Sequence, residues 1–271
     1  MALTAFQRTI CRLLADQRIA SGESCVAGGI ALGEATASAR ISRDIDLFHD
    51  TQQAVSAAWE ADRCALEAAG CQVRPIRERP SFVEAVVERG SESVLVQWAA
   101  DSAYRFFPLV EHPDFGLTLH PFDLATNKVL ALVGRIEARD WVDVIASHDR
   151  IQPLGYLAWS ACGKDPGFSP ASILEQAART ARYSDGEIDA LDFDGERPTA
   201  RALSRTWHGM LDEARELIAA LPTEHLGCCV LDAQGGLARG DLEHLRRALA
   251  ASEIRFRRGS IRGVLPEVAD S

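Results

Sequence analysis

The stretch that most restricts what this chain can fold into runs from Gly28-Gly29 to Phe48. Its second half, Asp44-Ile45-Asp46-Leu47-Phe48, alternates charged and apolar residues. A strand sends residues i and i+2 to the same side, so Asp44 and Asp46 project together while Ile45 and Leu47 enter a core. Two carboxylates one strand period apart suit a hard, oxygen-binding cation, Mg2+ or Mn2+. Magnesium commonly takes one or two carboxylates together with substrate phosphates. Gly28-Gly29 leads into a short helix, Ile30-Ala31-Leu32-Gly33-Glu34-Ala35. Glycines let the backbone approach a phosphate, and N–H groups at a helix start favour negative charge. Alone, each piece is common, since a bare Asp-x-Asp or Gly-Gly is usually a turn. The joint pattern, a Gly-Gly helix and then Arg40-x-Ser42-x-Asp44-x-Asp46 on an apolar strand, is far more specific.

Around that stretch the periodicities predict an α/β (α+β) N-terminal part. Phe6, Ile10, Leu13 and Leu14 fall at helical spacing over 3–18, and Ser21-Gly22 ends the helix. A strand is expected over 40–49 and a longer helix over 51–69, stopped by Gly70. Strand-like runs follow at 71–77, 82–88 and 91–99, with Gly90 turning between the last two. Pro121 opens a helix over 123–136, as proline is tolerated at a first helical position, and another helix spans 138–147. Composition changes near Gln152-Pro153-Leu154-Gly155, and 163–170 reads as a loop with Lys164 as an ordinary surface lysine. From Ser169 the pattern is mostly helical, as over 200–221. The expected organisation is residues 1–150 as a mixed sheet flanked by helices and 151–271 as a helical C-terminal domain.

The totals exclude several classes. No apolar run approaches the ~18–20 residues of a membrane span, and residues 1–8 carry no secretory hydrophobic region, so the chain reads as cytoplasmic and off the membrane. The seven cysteines (Cys11, Cys25, Cys64, Cys71, Cys162, Cys228 and Cys229) form no CxxC pair and no zinc spacing, which fits reduced thiols. Cys228-Cys229 reads as two small apolar residues of a buried strand. A net charge of −10 argues against tight nucleic-acid binding through bulk electrostatics. The one dense basic cluster, Arg246, Arg247, Arg255, Arg257, Arg258 and Arg262, reads more readily as solvated surface than as a binding patch.

The 28–46 pattern resembles the nucleotidyltransferase superfamily and, within it, the AbiEii/AbiGii-type toxins of type IV toxin–antitoxin systems. A second segment carries the same resemblance: Leu124-Ala125-Thr126-Asn127-Lys128-Val129-Leu130-Ala131-Leu132, then Arg135 and Arg139-Asp140-Trp141-Val142-Asp143. The motifs span residues 28–143, about half the chain. The resemblance implies metal-dependent, NTP-dependent transfer of a nucleotide, with RNA (tRNA in studied toxins) as acceptor and an antitoxin protein as partner. Gly28, Gly29 and Ser42 would belong to the nucleotide site, Asp44 and Asp46 would hold the metal, and Lys128 would contact the triphosphate. Asp140 or Asp143 would help activate the acceptor hydroxyl or orient Lys128. On the residues alone, Asp140 and Asp143 share a helix face at i, i+3, which equally suits ordinary surface ion pairs.

One position departs from the family pattern. A third carboxylate is expected on a later strand, where this chain has Gln97, which can coordinate or hydrogen-bond but cannot take a proton. Asp101 shares its parity but lies about 13 Å further along an extended chain. Elsewhere, His49 reads as a strand-end surface residue, and His112 and His120 lack ligand spacing. Trp98, Trp141, Phe106 and Phe107 read as packing. The competing functions are a toxin-like enzyme with RNA or protein as acceptor, a small-molecule nucleotidyltransferase of the antibiotic-modifying kind, and a degenerate domain that binds nucleotide or a partner without catalysis.

Overall fold

The computed structural model describes residues 3–180 and 183–263. It divides into two compact units: Met1–Ala103 with Pro108–His120, and Tyr104–Phe107 with Pro121–Ser271. The main junction therefore falls at 120/121, against the expected 150. The reason is packing, because the two helices after Pro121 lie against later helices.

In the first unit, helix α1 (Ala5–Ser21) starts in a capping box. The Thr4 hydroxyl accepts from the Gln7 amide at 3.1 Å, and the Gln7 side chain accepts from the Thr4 N–H at 2.8 Å. Strand β1 (Ser24–Ala27) runs straight into helix α2 (Gly28–Thr36). After the two-residue β2 (Arg40–Ile41) comes β3 (Asp44–His49), then helix α3 (Gln52–Ala68). Strands β4 (Gln72–Arg79), β5 (Phe82–Arg89) and β6 (Glu92–Ala100) form a meander. The short β7 (Tyr104–Arg105) belongs to the second unit, and β8 (Val110–His112) and β9 (Gly116–Thr118) return to the first.

Seven of these strands form one mixed sheet in the order β4-β5-β6-β3-β1-β9-β8. Pairing is parallel between β3 and β6 and between β1 and β9, and antiparallel elsewhere. Strand β1 escapes the sequence pattern because all four of its residues are buried and so show no alternation. The sheet's two faces differ. Helices α1 and α3 cover the face that carries Ile45, Leu47, Val83, Ala85, Val96 and Trp98, all buried. Beneath them Arg18 pairs with both carboxylate oxygens of Asp62 at 2.7 Å, and the Trp98 indole donates to Asp62 at 2.7 Å. His49 also lies on this face, 1% exposed, which corrects its reading as a surface residue. Burial, helped by the charge of Arg18, pushes its imidazole down to about 4. Asp44, Asp46, Glu84 and Gln97 stand on the opposite, half-buried face.

The second unit is mostly helical, as expected. Its helices are α4 (Pro121–Arg135), α5 (Ala138–Arg150), α6 (Leu154–Ala161), α7 (Pro170–Thr180), α8 (Asp185–Asp189), α9 (Ala200–Ala220) and α10 (Leu242–Ala250). Every residue of α6 is buried, so the helix has no polar face and no periodicity to read. Tyr156 and Trp159 of α6 pack with Leu217, Leu221, Val230 and Leu245. Besides the two-residue β10 (Asp192–Phe193), three further strands appear. Strand β11 (Cys229–Leu231) pairs with β12 (Arg255–Arg257), and β13 (Ser260–Ile261) pairs with β7. Cys228 and Cys229 are buried free thiols, but of the two only Cys229 lies in a strand, β11, with Cys228 just before it. Asp123, buried in the first turn of α4, accepts from the amides of Phe106 at 2.9 Å and Phe107 at 3.1 Å, which ties 104–107 to this unit. Lys164 corrects its reading as an ordinary surface lysine. It is half-buried, 2.8 Å from Asp123 and 2.8 Å from the Asn127 side chain.

Candidate active site

The first group of expected site residues converges where β1 becomes α2. The register sets Ala27 opposite Asp46, so the next residue turns across the Asp46 side chain. Gly28 has φ +65°. A Cβ placed there would fall 1.6 Å from Asp46 Oδ2. Two independent requirements, left-handed backbone and the absence of a side chain, therefore select glycine. Gly29 is equally enclosed, since its Cβ would lie 2.5 Å from Ser42 Oγ and 2.7 Å from Arg40 Nη2. Ser42 Oγ donates to Asp44 Oδ1 at 3.1 Å, and the Ser42 carbonyl accepts from Gln7 Nε2 at 2.7 Å. Helix α1 thus anchors the loop that orients Asp44. Gly28, Gly29, Ser42, Asp44 and Asp46 form one cluster at the N-terminus of a nine-residue helix.

Two further residues belong to this surface. Arg40, buried against Gly29, is part of the sequence pattern but carried no expected role. Glu84 gave no sequence signal at all. Registers place Gln97 beside Asp46 and Glu84 beside Gln97, so Asp46, Gln97 and Glu84 form a row across β3, β6 and β5. Gln97 Nε2 donates to Glu84 Oε1 at 2.9 Å. Asp101 lies past the end of β6, exposed, with its amide donating to the His49 carbonyl. Among the described residues no three His, Cys, Asp or Glu side chains are placed to share a metal ion. A cation here would have Asp44 and Asp46 as its protein carboxylates.

The second group, Lys128, Asp140 and Asp143, sits in the other unit. Lys128 Nζ lies 2.9 Å from Asp140 Oδ1 and 3.1 Å from Asp143 Oδ2. Arg135 adds Nε at 2.6 Å and Nη2 at 2.9 Å to Asp140. All three of Lys128, Asp140 and Asp143 are buried, so the surface-ion-pair alternative fails. Burial on its own would raise the Asp140 carboxyl. The hydrogen bonds and charges of Arg135 and Lys128 outweigh it and hold the group at about 2. A carboxylate so stabilised is a poor proton acceptor. Of the two roles expected for Asp140, the geometry favours holding Lys128 over activating a hydroxyl.

No protein-family model matches the chain, and no curated protein matches it in sequence. Solved structures do match. JHP933 from Helicobacter pylori superposes with a TM-score of 0.51 at 15% identity, over 92% of this chain and 99% of its own. MenT4, a nucleotidyltransferase toxin from Mycobacterium tuberculosis H37Rv, superposes with a TM-score of 0.51 at 14% identity, over 81% of this chain and 83% of its own. Among the described residues no helix is long and apolar enough to cross a membrane. At these identities the likeness speaks for architecture, and the chain has the nucleotidyltransferase-type fold.

Proposed function

We propose that this protein is a metal-dependent nucleotidyltransferase of the AbiEii-like toxin type, moving a nucleotide from an NTP to an RNA acceptor in the cytoplasm, with an antitoxin protein as partner. The observation that carries this reading is the contact of Gly28 with Asp46. It puts the N–H groups that start α2 beside a carboxylate pair, so that phosphates and a cation would meet at one place. Asp44 and Asp46 fit Mg2+ or Mn2+, since both are hard oxygen donors on one face, and phosphate oxygens would complete the shell. Such an ion neutralises phosphate charge and makes the α-phosphorus more electrophilic. Gly28 and Gly29 leave the backbone open to the phosphates, and Ser42 holds Asp44 in orientation. The fold shared with MenT4 supports carrying the toxin's class of chemistry to this chain.

A second reading, nucleotide binding without turnover, is favoured by Gln97 alone. One experiment addresses both. Mn2+ with each NTP is expected to raise the melting temperature, and Asp44→Ala with Asp46→Ala to abolish the rise. Labelled NTP with total RNA is expected to yield labelled RNA. A melting shift that survives the double substitution sinks the site, and a shift without labelled RNA selects the binding reading.

A further inference from the structure

The row Asp46–Gln97–Glu84 gives the missing carboxylate an address. Adjacent strands lie about 4.8 Å apart, so Glu84 on β5 stands two strands, roughly 10 Å of backbone, from Asp46. All three side chains rise from the same half-buried face. Glu84 is too distant to join Asp44 and Asp46 as a metal ligand, since no such three-residue group exists among the described residues. Its side chain nevertheless meets Gln97 on the intervening strand, and that contact fixes where the carboxylate goes. An ionised carboxylate only accepts hydrogen bonds, so the Gln97 amide must turn Nε2 towards it, and it does so at 2.9 Å. Asp140 and Asp143, the acids first expected to activate the hydroxyl, are both paired with Lys128, and Asp140 with Arg135 as well.

We infer that Glu84 is the general base of the proposed transfer and that Gln97 is its positioning residue, the carboxylate having moved one strand outward from the position where the nucleotidyltransferase pattern expects it. The inference rests on the function proposed above. In the step, the acceptor hydroxyl gives its proton to Glu84 while its oxygen bonds to the α-phosphorus of the NTP. The bond from that phosphorus to the pyrophosphate oxygen breaks, and pyrophosphate leaves with the electron pair. Glu84 then returns the proton to water.

The test compares wild type, Glu84→Gln, Gln97→Ala and the exchange Glu84→Gln/Gln97→Glu, which puts the carboxylate back on β6. Each is assayed for transfer from labelled NTP to total RNA and for the melting shift with Mn2+ and NTP. Loss of a general base typically lowers rate by about 10²–10⁴-fold. Glu84→Gln is expected to lose kcat on that scale with KM for NTP and the melting shift retained. Gln97→Ala should lose less, and the exchange should regain part of the Glu84→Gln loss. A Glu84→Gln enzyme with wild-type kcat overturns the inference and leaves the proposed function standing. So does an exchange variant no faster than Glu84→Gln. Loss of the melting shift in Glu84→Gln also overturns it, because the residue would then build the binding site. A wild-type protein that ignores Mn2+ with NTP, or binds them and never labels RNA, overturns the proposed enzyme itself.

Discussion

Replacing Gly28 by alanine tests the assembly of the site through a single methyl group, and Gly22 supplies the matched control. Both glycines have left-handed backbone, φ +65° and +62°. An L-residue in that region costs roughly 1–2 kcal/mol, and both substitutions incur it. Their surroundings differ. A Cβ at Gly22, the C-cap of α1, meets nothing within 4 Å. A Cβ at Gly28 would lie 1.6, 2.5 and 2.8 Å from Oδ2, Cγ and Cβ of Asp46. All three atoms belong to one side chain, so the Asp46 carboxylate must leave its place. Gly22→Ala is therefore expected to lower the melting temperature by about 2–8 °C, from the typical 2–4 °C per kcal/mol for a chain of this size. It should retain its response to Mn2+ with NTP. Gly28→Ala should lose at least as much stability and should no longer respond. Differential scanning fluorimetry with and without Mn2+ and NTP reads both effects. Equal ligand responses in the two variants would refute the claim that Asp46 and the start of α2 share one binding place.

Three further outcomes follow from charges away from the carboxylate pair. Because the folded state resists protonating His49 until about pH 4 against an ordinary 6.5, stability should fall as pH drops from 6.5 towards 4, by roughly 3 kcal/mol. His49→Gln should flatten that limb of a melting-temperature profile, and an unchanged profile would contradict the buried neutral imidazole. Asp140 is depressed from 3.8 to about 2, so its contribution, about 2 kcal/mol, is present above pH 4 and disappears as pH falls through 2. Lys128→Ala removes the cation that Asp140 and Asp143 share inside the second unit, and removing one partner of a buried ion pair typically costs about 3–5 kcal/mol. A near-neutral effect on urea unfolding would show Lys128 to be dispensable to folding and return it to the nucleotide.

What the sequence made legible tracks how regularly each element meets solvent. Strand β3 alternates half-buried and buried residues along its whole length, and its pattern was readable. The helices α1, α3 and α9, each with one apolar face, were readable for the same reason. Strand β1 and helix α6 were not, because complete burial erases both the two-residue and the 3.6-residue period. Strands β8 and β9, three residues each, are too short to carry a period. At the site, Gly28, Gly29, Ser42, Asp44 and Asp46 stand within nineteen consecutive positions and announce themselves by spacing. Glu84 is brought to Gln97 by the antiparallel register of β5 on β6, and no local pattern encodes a register. Lys164 was misread because a lysine in a Gly-Asp-Pro-Gly loop looks solvated, whereas Asp123, 41 positions away, draws it inside.

The chain's cations sharpen what the first unit can do by itself. Of its 29 basic residues only two are lysines, Lys128 and Lys164. Both lie in the second unit, and both are paired with aspartates. Lysine is a compact, strongly hydrated point charge, whereas arginine is a planar fork that stays charged when buried and matches phosphate oxygens two at a time. In the first unit every basic charge other than histidine is therefore an arginine, and the one against the glycine pair is Arg40, 5% exposed with Nη2 aimed at Gly29. In the proposed reaction its planar fork would meet incoming phosphate oxygens beside the start of α2. Beside it the Ser42 hydroxyl holds the Asp44 carboxylate in orientation. With Gln97 neutral, this face carries one carboxylate fewer than a third acid on β6 would give it. On the proposed assignment, moving that acid outward to Glu84 would keep a proton acceptor on the face while reducing like-charge repulsion where the triphosphate would settle.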